Sequence, residues 1–368
     1  MKKKNIAVLI EVDSSDTKIG AVNDVLDLAR YSRGLNINFS LCGPINSQLE
    51  TFARNLNMKV IKTKSCMISK KSIIPYLFNT IRWCYIIRRI CPDVIHLNYV
   101  GWGPSLGLAA YLNKIPLVAR AGGGDDPRNP SNKWISRYIA NCEAQAKNLL
   151  CNAQLQSRVV IAGDLINLER LENNSYPHPL LPPKQFGVPR ILFLGQLVHR
   201  KGLDVLIKAL SGIDKEYDVL LVGGDWQKSG YPQEIKQMVH DFNMTSKVHF
   251  INHRTDGIAI LKTCDVFVLP SRSEARPRSI IEAMLLNRCI ISTVTGGIPS
   301  LIDDGTTGLL APPDDAQILQ KILNKVIVSK QLRNRLGQAA GQIARKEFSP
   351  YRTAQRYYNT YQELLTTT

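Results

Sequence analysis

The sequence has no run of eighteen or more apolar residues, which is the length that a helix needs to cross a bilayer. Its first ten residues join lysines to a short apolar stretch, as a secretory signal does, but Glu11 and Asp13 interrupt that stretch at once. We therefore expect residues 5–10 to form the first strand of a cytoplasmic protein that no helix anchors in a membrane.

The cysteines lack the spacing of a metal site or a disulfide framework. No Cys-x-x-Cys pair occurs among the eight, most of which lie inside apolar runs: Cys42, Cys66, Cys84, Cys91, Cys142, Cys151, Cys264 and Cys289. This pattern favours buried, reduced thiols. The paired aspartates at 125–126, 303–304 and 314–315 adjoin turn residues, so we interpret them as turns and caps rather than as metal ligands.

Acidic residues are scarce, with 30 Asp and Glu against 47 Lys and Arg in 368 residues, for a net charge of +17. Basic proteins bind nucleic acids, anionic membranes or anionic substrates. No nucleic-acid-binding motif accompanies the charge, so we expect no nucleic-acid partner. The length and a hydrophobic content of 44% are sufficient for two folded domains.

One stretch reads as a strand, a loop, a helix and a second strand, which is a βαβ unit of a parallel sheet. The strands are residues 265–270 and 289–295, and the helix is 279–287 with Ser279 as its cap. Ligands of such sheets bind beyond the carboxyl ends of the strands, and a helix start binds phosphate. The spacing suits a sugar nucleotide, with the hexose at Glu274, the diphosphate at Ser279 and the ribose at Glu282.

The alternative at this point is structural. Glu274 would pair with Arg272, Arg276 or Arg278, and Glu282 would favour the helix dipole.

The motifs Glu274-x7-Glu282, Gly296-Gly297-x-Pro299 and Asp304-Gly305-x-x-Gly308 keep their order and spacing over about forty residues. They resemble those of retaining glycosyltransferases of family 4. The resemblance implies the α/β class and the GT-B fold, in which two Rossmann-like domains face a central cleft. It also implies a metal-independent transfer of a hexose from a UDP- or GDP-sugar to a glycan or lipid-linked acceptor, in cell-surface polysaccharide biosynthesis and with no cofactor.

The same resemblance implies roles for single residues in donor binding. Glu274 contacts the hexose, Glu282 the ribose, and the amides of Arg278 and Ser279 the sugar and the β-phosphate. Arg276 stands where the family usually has Phe. A second family motif, Gly-Arg-Leu-x-x-x-Lys-Gly, matches Gly195 and Lys201, with the uncharged Gln196 at the arginine position. Arg200 is the substitute for that cation, and Gly20 falls at the family's glycine-rich turn. Glu274, Lys201 and Arg200 are the predicted catalytic residues.

On the acceptor side the resemblance is less complete. His96 ends a predicted strand, and a second strand leads from residue 115 to Arg120 and a glycine loop that ends at Asp125. Relatives often place a histidine in that loop, but none occurs here between His96 and His178. We take His96, Arg120 and Asp125 as the acceptor-side candidates.

The predicted domains are residues 1–185, completed by a C-terminal helix at 350–368, and residues 186–349. The boundary is set by a linker at 173–184 that holds four prolines. In the first domain, residues 70–89 repeat apolar residues at helical spacing among basic ones: Ile74, Leu77, Phe78, Ile81 and Tyr85. This stripe indicates either a helix packed on its own sheet or peripheral contact with the anionic inner face of the cell membrane.

Two other functions stay open. A sugar-nucleotide-binding protein with little catalysis would account for Gln196 and for the missing loop histidine. A GT-B epimerase fits less well, because the Lys-Gly motif and the Glu-x7-Glu motif occur together.

Overall fold

The computed structural model describes residues 5–12, 20–63, 73–98, 104–121, 126–172, 181–225, 228–254 and 256–366. Contacts between Cα atoms divide the chain into two compact units. The first unit comprises residues 1–166 and 349–368, and the second comprises residues 167–348.

The first unit is built on a seven-stranded sheet in which all pairs are parallel, in the order β3-β2-β1-β4-β5-β6-β7. Its strands are β1 Ile6–Glu11, β2 Ile37–Gly43, β3 Lys59–Lys62, β4 Val94–Leu97, β5 Leu117–Arg120, β6 Ile135–Ala140 and β7 Val159–Ile161. The helices between them are α1 Gly20–Tyr31, α2 Ser47–Asn55, α3 Ile73–Ile90, α4 Pro104–Leu112 and α5 Glu143–Leu150.

The second unit is built on a six-stranded parallel sheet in the order β10-β9-β8-β11-β12-β13. Its strands are β8 Arg190–Leu194, β9 Asp218–Gly223, β10 Val248–Asn252, β11 Val266–Leu269, β12 Cys289–Thr293 and β13 Leu309–Ala311. Its helices are α6 Leu168–Glu172, α7 Leu203–Ser211, α8 Tyr231–Asp241, α9 Gly257–Thr263, α10 Arg278–Leu285, α11 Ala316–Val328 and α12 Lys330–Glu347. The final helix, α13 Pro350–Thr366, belongs to the first unit.

Helices cover both faces of the first sheet. Successive side chains of a strand point to opposite faces, and in this sheet the side chains on both faces are apolar and need to be buried. Val8 and Ile10 of β1 face a core shared with α1, α2 and α13. Leu9, between them, faces the opposite core, shared with α3, α4 and α5. The central strands β11 and β12 of the second sheet are buried on both faces as well, since every residue of both is buried. Both units are thus Rossmann-like, as predicted.

The division between the units falls at Ile166 and Asn167, earlier than the predicted boundary at residue 185. The end of the proline-rich segment already contacts the second unit. The carbonyl oxygen of Pro182 accepts a hydrogen bond of 2.8 Å from Arg190, and the Lys184 ammonium lies 2.8 Å from the Asp265 carboxylate. Residues 173–180 of the predicted linker lie outside the described residues, and the contacts of Pro182 and Lys184 join its last residues to the second unit.

In each sheet the strand order reverses beside the first strand of the unit, between β1 and β4 and between β8 and β11. Loops that leave the carboxyl ends of strands at such a reversal diverge and leave room for a ligand. Of the helices described, none is both long and apolar enough to span a membrane.

Candidate active site

The loop between β8 and α7 carries three of the predicted donor-binding residues. Gly195 directly follows β8, Gln196 comes next, and Lys201 ends a short 3₁₀ turn that begins at His199. A Cβ atom at Gly195 would lie 3.9 Å from Cε of Lys201, so the lysine stem passes close to that glycine. Lys201 is buried, with 8% of its surface exposed.

The loop that follows β11 carries Glu274 and is held by side chains at the end of β12. The hydroxyl of Thr293 donates to the carbonyl oxygen of Ser271 at 2.5 Å, and that of Thr295 donates to the carbonyl oxygen of Arg272 at 3.1 Å. Because β12 pairs with β11 in parallel, its end lies beside the start of this loop. Strand β12, which follows α10 in the sequence, therefore holds the loop that connects β11 to α10.

The glycine pair of the sequence motif supports the same loop. A Cβ atom at Gly296 would lie 1.5 Å from the carbonyl oxygen of Glu274, so no other residue fits without moving the loop. Gly297 donates its backbone N–H to the carbonyl oxygen of Ala275 at 3.0 Å. The close approach of the backbones explains the glycine at 296, while Gly297 contributes a backbone hydrogen bond to the loop.

Lys201 and Glu274 form a buried ion pair, although 73 positions separate them in the sequence. The hydroxyl of Ser271 donates to the same carboxylate oxygen at 3.0 Å. Burial lowers the pKa of the Lys201 ammonium, while the attraction of Glu274 acts in the opposite direction. The pair joins the loops after β8 and β11, which are the two strands at the reversal of the sheet.

Arg200 adds a second cation at the edge of this pair. One of its guanidinium nitrogens lies 3.6 Å from the Glu274 carboxylate, and another donates to the side-chain oxygen of Gln196 at 3.3 Å. Its side chain is 48% exposed, so an incoming anion can reach it. The structure thus places Arg200 beside Gln196, the position that lacks the family's arginine. A catalytic role for Arg200 stays a prediction.

Sequence reasoning missed a network around Arg272 that joins the same two loops. The guanidinium of Arg272 donates to both carboxylate oxygens of Asp204, at 2.9 and 2.7 Å, and to the carbonyl oxygen of His199 at 2.6 Å. The Tyr231 hydroxyl also donates to Asp204, at 2.6 Å. Burial disfavours the Asp204 carboxylate, but these bonds outweigh it and lower the pKa of Asp204 to about 2.

Among the arginines at 272, 276 and 278, no sequence signal distinguishes Arg272 from the others. The structural alternative for Glu274 is therefore only half correct. Glu274 is paired, but its partners are Lys201 and Arg200, which belong to the other loop.

The start of α10 differs from the prediction by one position. The helix begins at Arg278 with Pro277 as its N-cap residue, so Ser279 is the second helical residue and does not cap it. Proline has a fixed backbone angle that suits a helix entry, and Pro277 accepts the bond that closes the first turn, from Ile280 at 3.2 Å. No side chain caps this end. The first amides of α10 therefore remain suited to an anion.

The other donor-side candidates lie along or near α10. Arg278 and Ser279 form its first turn and Glu282 lies in its second turn, all three half-buried. Arg276 extends to the hydroxyl of Ser300 at 2.8 Å, and its guanidinium lies 5.7 Å from the centre of the Phe348 ring.

In the first unit, His96 is buried at the carboxyl end of β4, under α13. Its Nδ1 lies 2.6 Å from the hydroxyl of Tyr361, and its ring stacks on Tyr357 with the centres 5.8 Å apart. Burial, helped by the charge of Arg120, lowers the pKa of His96 to about 3, so the ring is neutral. Its Nε2 is buried and has no hydrogen-bond partner in the part of the chain that the structure describes.

The remaining candidates of the first unit lie near His96 or outside the described residues. Arg120 ends β5 and forms a buried ion pair with Asp24 of α1. Gly20 is the first residue of α1, which starts directly after a segment that the structure does not describe. Asp125 lies outside the described residues. Within the described ranges, no three His, Cys, Asp or Glu side chains are grouped so that they could hold a metal ion.

Residues 183–342, which contain the pair of Lys201 and Glu274 and the other donor-side residues of the second unit, match the family model described as glycosyl transferases group 1. The chain is 28% identical over 232 residues to an uncharacterized glycosyltransferase of Methanocaldococcus jannaschii. That alignment covers 62% of this chain and 58% of the relative, so the chain spans less than two thirds of it. These matches support a GT-B glycosyltransferase of the family 4 type.

Solved structures show the same fold over nearly the whole chain. A glycosyltransferase from Rickettsia africae superposes with a TM-score of 0.85 and 20% identity, covering 99% of this chain and 100% of that one. Anabaena HepE, solved in complex with UDP and glucose, superposes with a TM-score of 0.79 and 19% identity, covering 98% of this chain and 100% of that one. At these identities the likeness establishes the fold of this chain and no more.

Proposed function

We propose that the chain transfers a hexose from a UDP- or GDP-sugar to a glycan or lipid-linked acceptor, with retention of the anomeric configuration and without a metal. The observation that carries this proposal is the buried pair of Lys201 and Glu274, with Arg200 beside it. The pair lies where loops diverge at the reversal of the second sheet, which is where ligands of such sheets bind.

The charges of the site suit a sugar diphosphate. Two cations and one carboxylate leave an excess positive charge, which an incoming diphosphate neutralises. On binding, the ammonium of Lys201 would turn from Glu274 towards the phosphate oxygens, and the exposed Arg200 would contact them from the solvent side. Glu274 would then be free to accept hydrogen bonds from hydroxyl groups of the hexose. Glu282, in the second turn of α10, would accept from the ribose.

Breaking the bond between the anomeric carbon and the diphosphate develops negative charge on the departing oxygen. A preorganised, desolvated cation stabilises such charge more strongly than water does. Lys201 fits this role, because burial has already removed most of its hydration. The acceptor oxygen would bond to the same face of the sugar, and its proton would pass to the departing phosphate.

The binding half of this proposal is tested by a thermal-shift panel of UDP, GDP and their sugars. A ligand at 100 times its dissociation constant stabilises the folded state by about 2.7 kcal/mol. Because the HepE structure contains UDP and glucose, UDP-glucose is the first sugar nucleotide to include. If no nucleotide or nucleotide sugar raised the melting temperature, the proposed donor site would be wrong.

The chemical half is tested by NMR of the products with the donor that binds. An α-linked donor should yield an α-linked product, in the presence of a chelator as well as in its absence. A β-linked product would exclude retention, and loss of activity that Mg²⁺ or Mn²⁺ restores would exclude metal independence. The same spectra separate the two alternative functions. Binding without turnover would indicate a sugar-nucleotide-binding protein, and a free epimerised sugar nucleotide would indicate an epimerase.

A further inference from the structure

The helix α3 has an apolar outer face that no part of the described chain covers. Its inner side packs in the core through Trp83, Ile86 and Ile87. Four of the five residues of the predicted apolar stripe lie on the other side, where Leu77 is 49% exposed, and Phe78, Ile81 and Tyr85 are each 65–70% exposed. The side chain of the fifth, Ile74, lies outside the described part of the chain. The helix packs on its own sheet, as one of the two predicted alternatives stated, but through Trp83, Ile86 and Ile87 and not through these four exposed residues. Single exposed apolar residues are common, but a contiguous row indicates a binding surface.

Positive charge surrounds this outer face. Arg88 and Arg89 are exposed in the last turn of α3, and Arg82 is half-buried within it. From residue 51 to residue 124 the sequence has eleven Lys and Arg but a single acidic residue, Asp93. The carboxylate of Asp93 accepts a hydrogen bond of 2.8 Å from the backbone of Ala7, at the start of β1. This stretch therefore holds no other acidic residue that could offset Arg88 and Arg89.

We propose that the outer face of α3 binds an anionic lipid surface. The helix would lie parallel to the membrane, with Leu77, Phe78, Ile81 and Tyr85 inserted at the level of the headgroups. Arg88 and Arg89 would contact lipid phosphates. The 18 residues of α3 give it a length of about 27 Å along the surface. An apolar row with basic neighbours is the composition of helices that lie in the membrane interface.

A second copy of the chain is a poorer occupant of this face. A two-fold interface sets the same patch against itself, so the arginines of both copies would approach a surface of their own sign. The scarcity of acidic residues leaves nothing in residues 51–124 to compensate this repulsion. Anionic headgroups supply the missing charge, and each arginine near such a surface strengthens binding about fivefold.

The experiment measures binding of the purified chain to vesicles of phosphatidylcholine with 30% phosphatidylglycerol, by co-sedimentation. We expect binding that weakens as salt is added and is at least tenfold weaker to pure phosphatidylcholine. The double variant Phe78→Ser and Ile81→Ser should lower the partition coefficient by about a hundredfold, since each apolar side chain contributes about tenfold. Its matched control is Phe186→Ser in the second unit, which is fully exposed and should have no effect.

The charges are tested separately with Arg88→Glu and Arg89→Glu, which should weaken binding at least about 25-fold. The control for this pair is Lys321→Glu with Lys325→Glu, two exposed lysines four positions apart on α11. All of these positions are exposed, so melting curves should match that of the unchanged protein and confirm that the variants fold.

Two outcomes would overturn the proposal. One is equal binding to neutral and anionic vesicles, or no binding to either. The other is a Phe78 and Ile81 variant that binds vesicles normally but changes the sedimentation coefficient of the protein, which would make this face an interface between copies. Nucleoside diphosphate binding in solution should be the same in every variant. A failure of the lipid proposal is thereby distinguishable from a failure of the proposed donor site.

Discussion

The two units each bury a cation against a carboxylate near the carboxyl ends of parallel strands, but the two pairs are built differently. In the second unit both partners, Lys201 and Glu274, lie on loops, and Arg200 reaches solvent beside them. In the first unit Arg120 ends a strand and Asp24 belongs to a helix. The side chains of all four paired residues are 12% exposed or less.

Burial and charge pairing are therefore not sufficient to identify a binding site. The loop-borne pair can exchange partners, because Lys201 and Glu274 are each held by a few hydrogen bonds that a ligand can replace. The pair of Arg120 and Asp24 joins two regular elements, so separating it would disturb the packing of α1 on the sheet. We therefore propose a ligand-binding role for the pair of Lys201 and Glu274 and a structural role for the pair of Arg120 and Asp24.

The largest expected effect concerns the pair in the first unit. Arg120→Met should destabilise the folded state by about 3–5 kcal/mol, because it leaves the carboxylate of Asp24 buried without its partner. Denaturant unfolding measures this loss, and the double variant with Asp24→Asn should recover much of it. If Arg120→Met instead folded normally and raised only the KM for the acceptor, Arg120 would be the acceptor residue that the sequence predicted, and the contrast between the pairs would disappear.

The corresponding change in the second unit should reduce catalysis. Lys201→Ala should lower turnover about 10²–10³-fold, equal to about 3–4 kcal/mol, because it removes the charge that stabilises the departing diphosphate. Steady-state kinetics on the folded fraction measures this, with Lys208→Ala, an exposed lysine of α7, as the control. Turnover that Lys201→Ala left unchanged on the true donor would reject the assignment.

The two units should lose stability in different pH ranges, because their titrating groups differ. The pKa of His96 is lowered from its usual 6.5 to about 3 in the folded state, so below pH 6.5 the unfolded chain binds a proton that the folded chain does not. Stability from this group is complete above pH 6.5 and falls by about 1.4 kcal/mol per pH unit below it, or about 2 kcal/mol by pH 5.

The variant His96→Gln tests this origin. It should be less stable at pH 7 but lose less between pH 6.5 and pH 5, as measured by denaturant unfolding at each pH. Asp204 in the second unit has a pKa of about 2, so its contribution is present above pH 3.8 and is lost only as the pH falls towards 2. An identical slope in the variant would show that another group titrates in the upper range.

The smallest effects are expected at the two glutamates. Glu282→Gln should weaken the sugar nucleotide and the free nucleoside diphosphate equally, by about 1–2 kcal/mol, because both ligands carry the ribose. Glu274→Gln should leave the free nucleoside diphosphate nearly unchanged and act mainly on turnover of the intact donor. Calorimetric titration of both ligands into both variants measures this. Equal losses for both ligands with Glu274→Gln would contradict the contact with the hexose.

The sequence was sufficient to place Lys201 and Glu274 each after a strand, because both follow continuous apolar runs and lie in spaced motifs. Their contact depends on β8 and β11 being neighbours, although β9 and β10 come between them in the chain. That adjacency is a property of the crossover topology, which local patterns do not encode. The role of Arg272 was unpredictable for the same reason, since its partner Asp204 is 68 positions away.

Other differences arise from signals that local sequence carries ambiguously. Periodicity correctly predicted that residues 73–90 form a helix, but a helical stripe does not state whether it faces the core or solvent. In α3 the core side is supplied instead by Trp83, Ile86 and Ile87, which interleave with the arginines. Strand β6 was not predicted, because Ser136 and Arg137 interrupt its apolar residues.

The close approach of Gly296 to Glu274 limits which residues can replace glycine at position 296. Any side chain at 296 would displace the carbonyl oxygen that precedes Ala275, so even Gly296→Ala should abolish activity while leaving every polar group in place. Gly305, in the same group of motifs, has a comparable positive φ of 78° but no atom within 4 Å of a Cβ there. Asparagine, which tolerates that backbone conformation, should be accepted at 305 and rejected at 296. In a saturation library, positions 296 and 305 should therefore differ in mutational tolerance. Lack of space excludes every side chain at 296, whereas only the positive backbone angle restricts position 305.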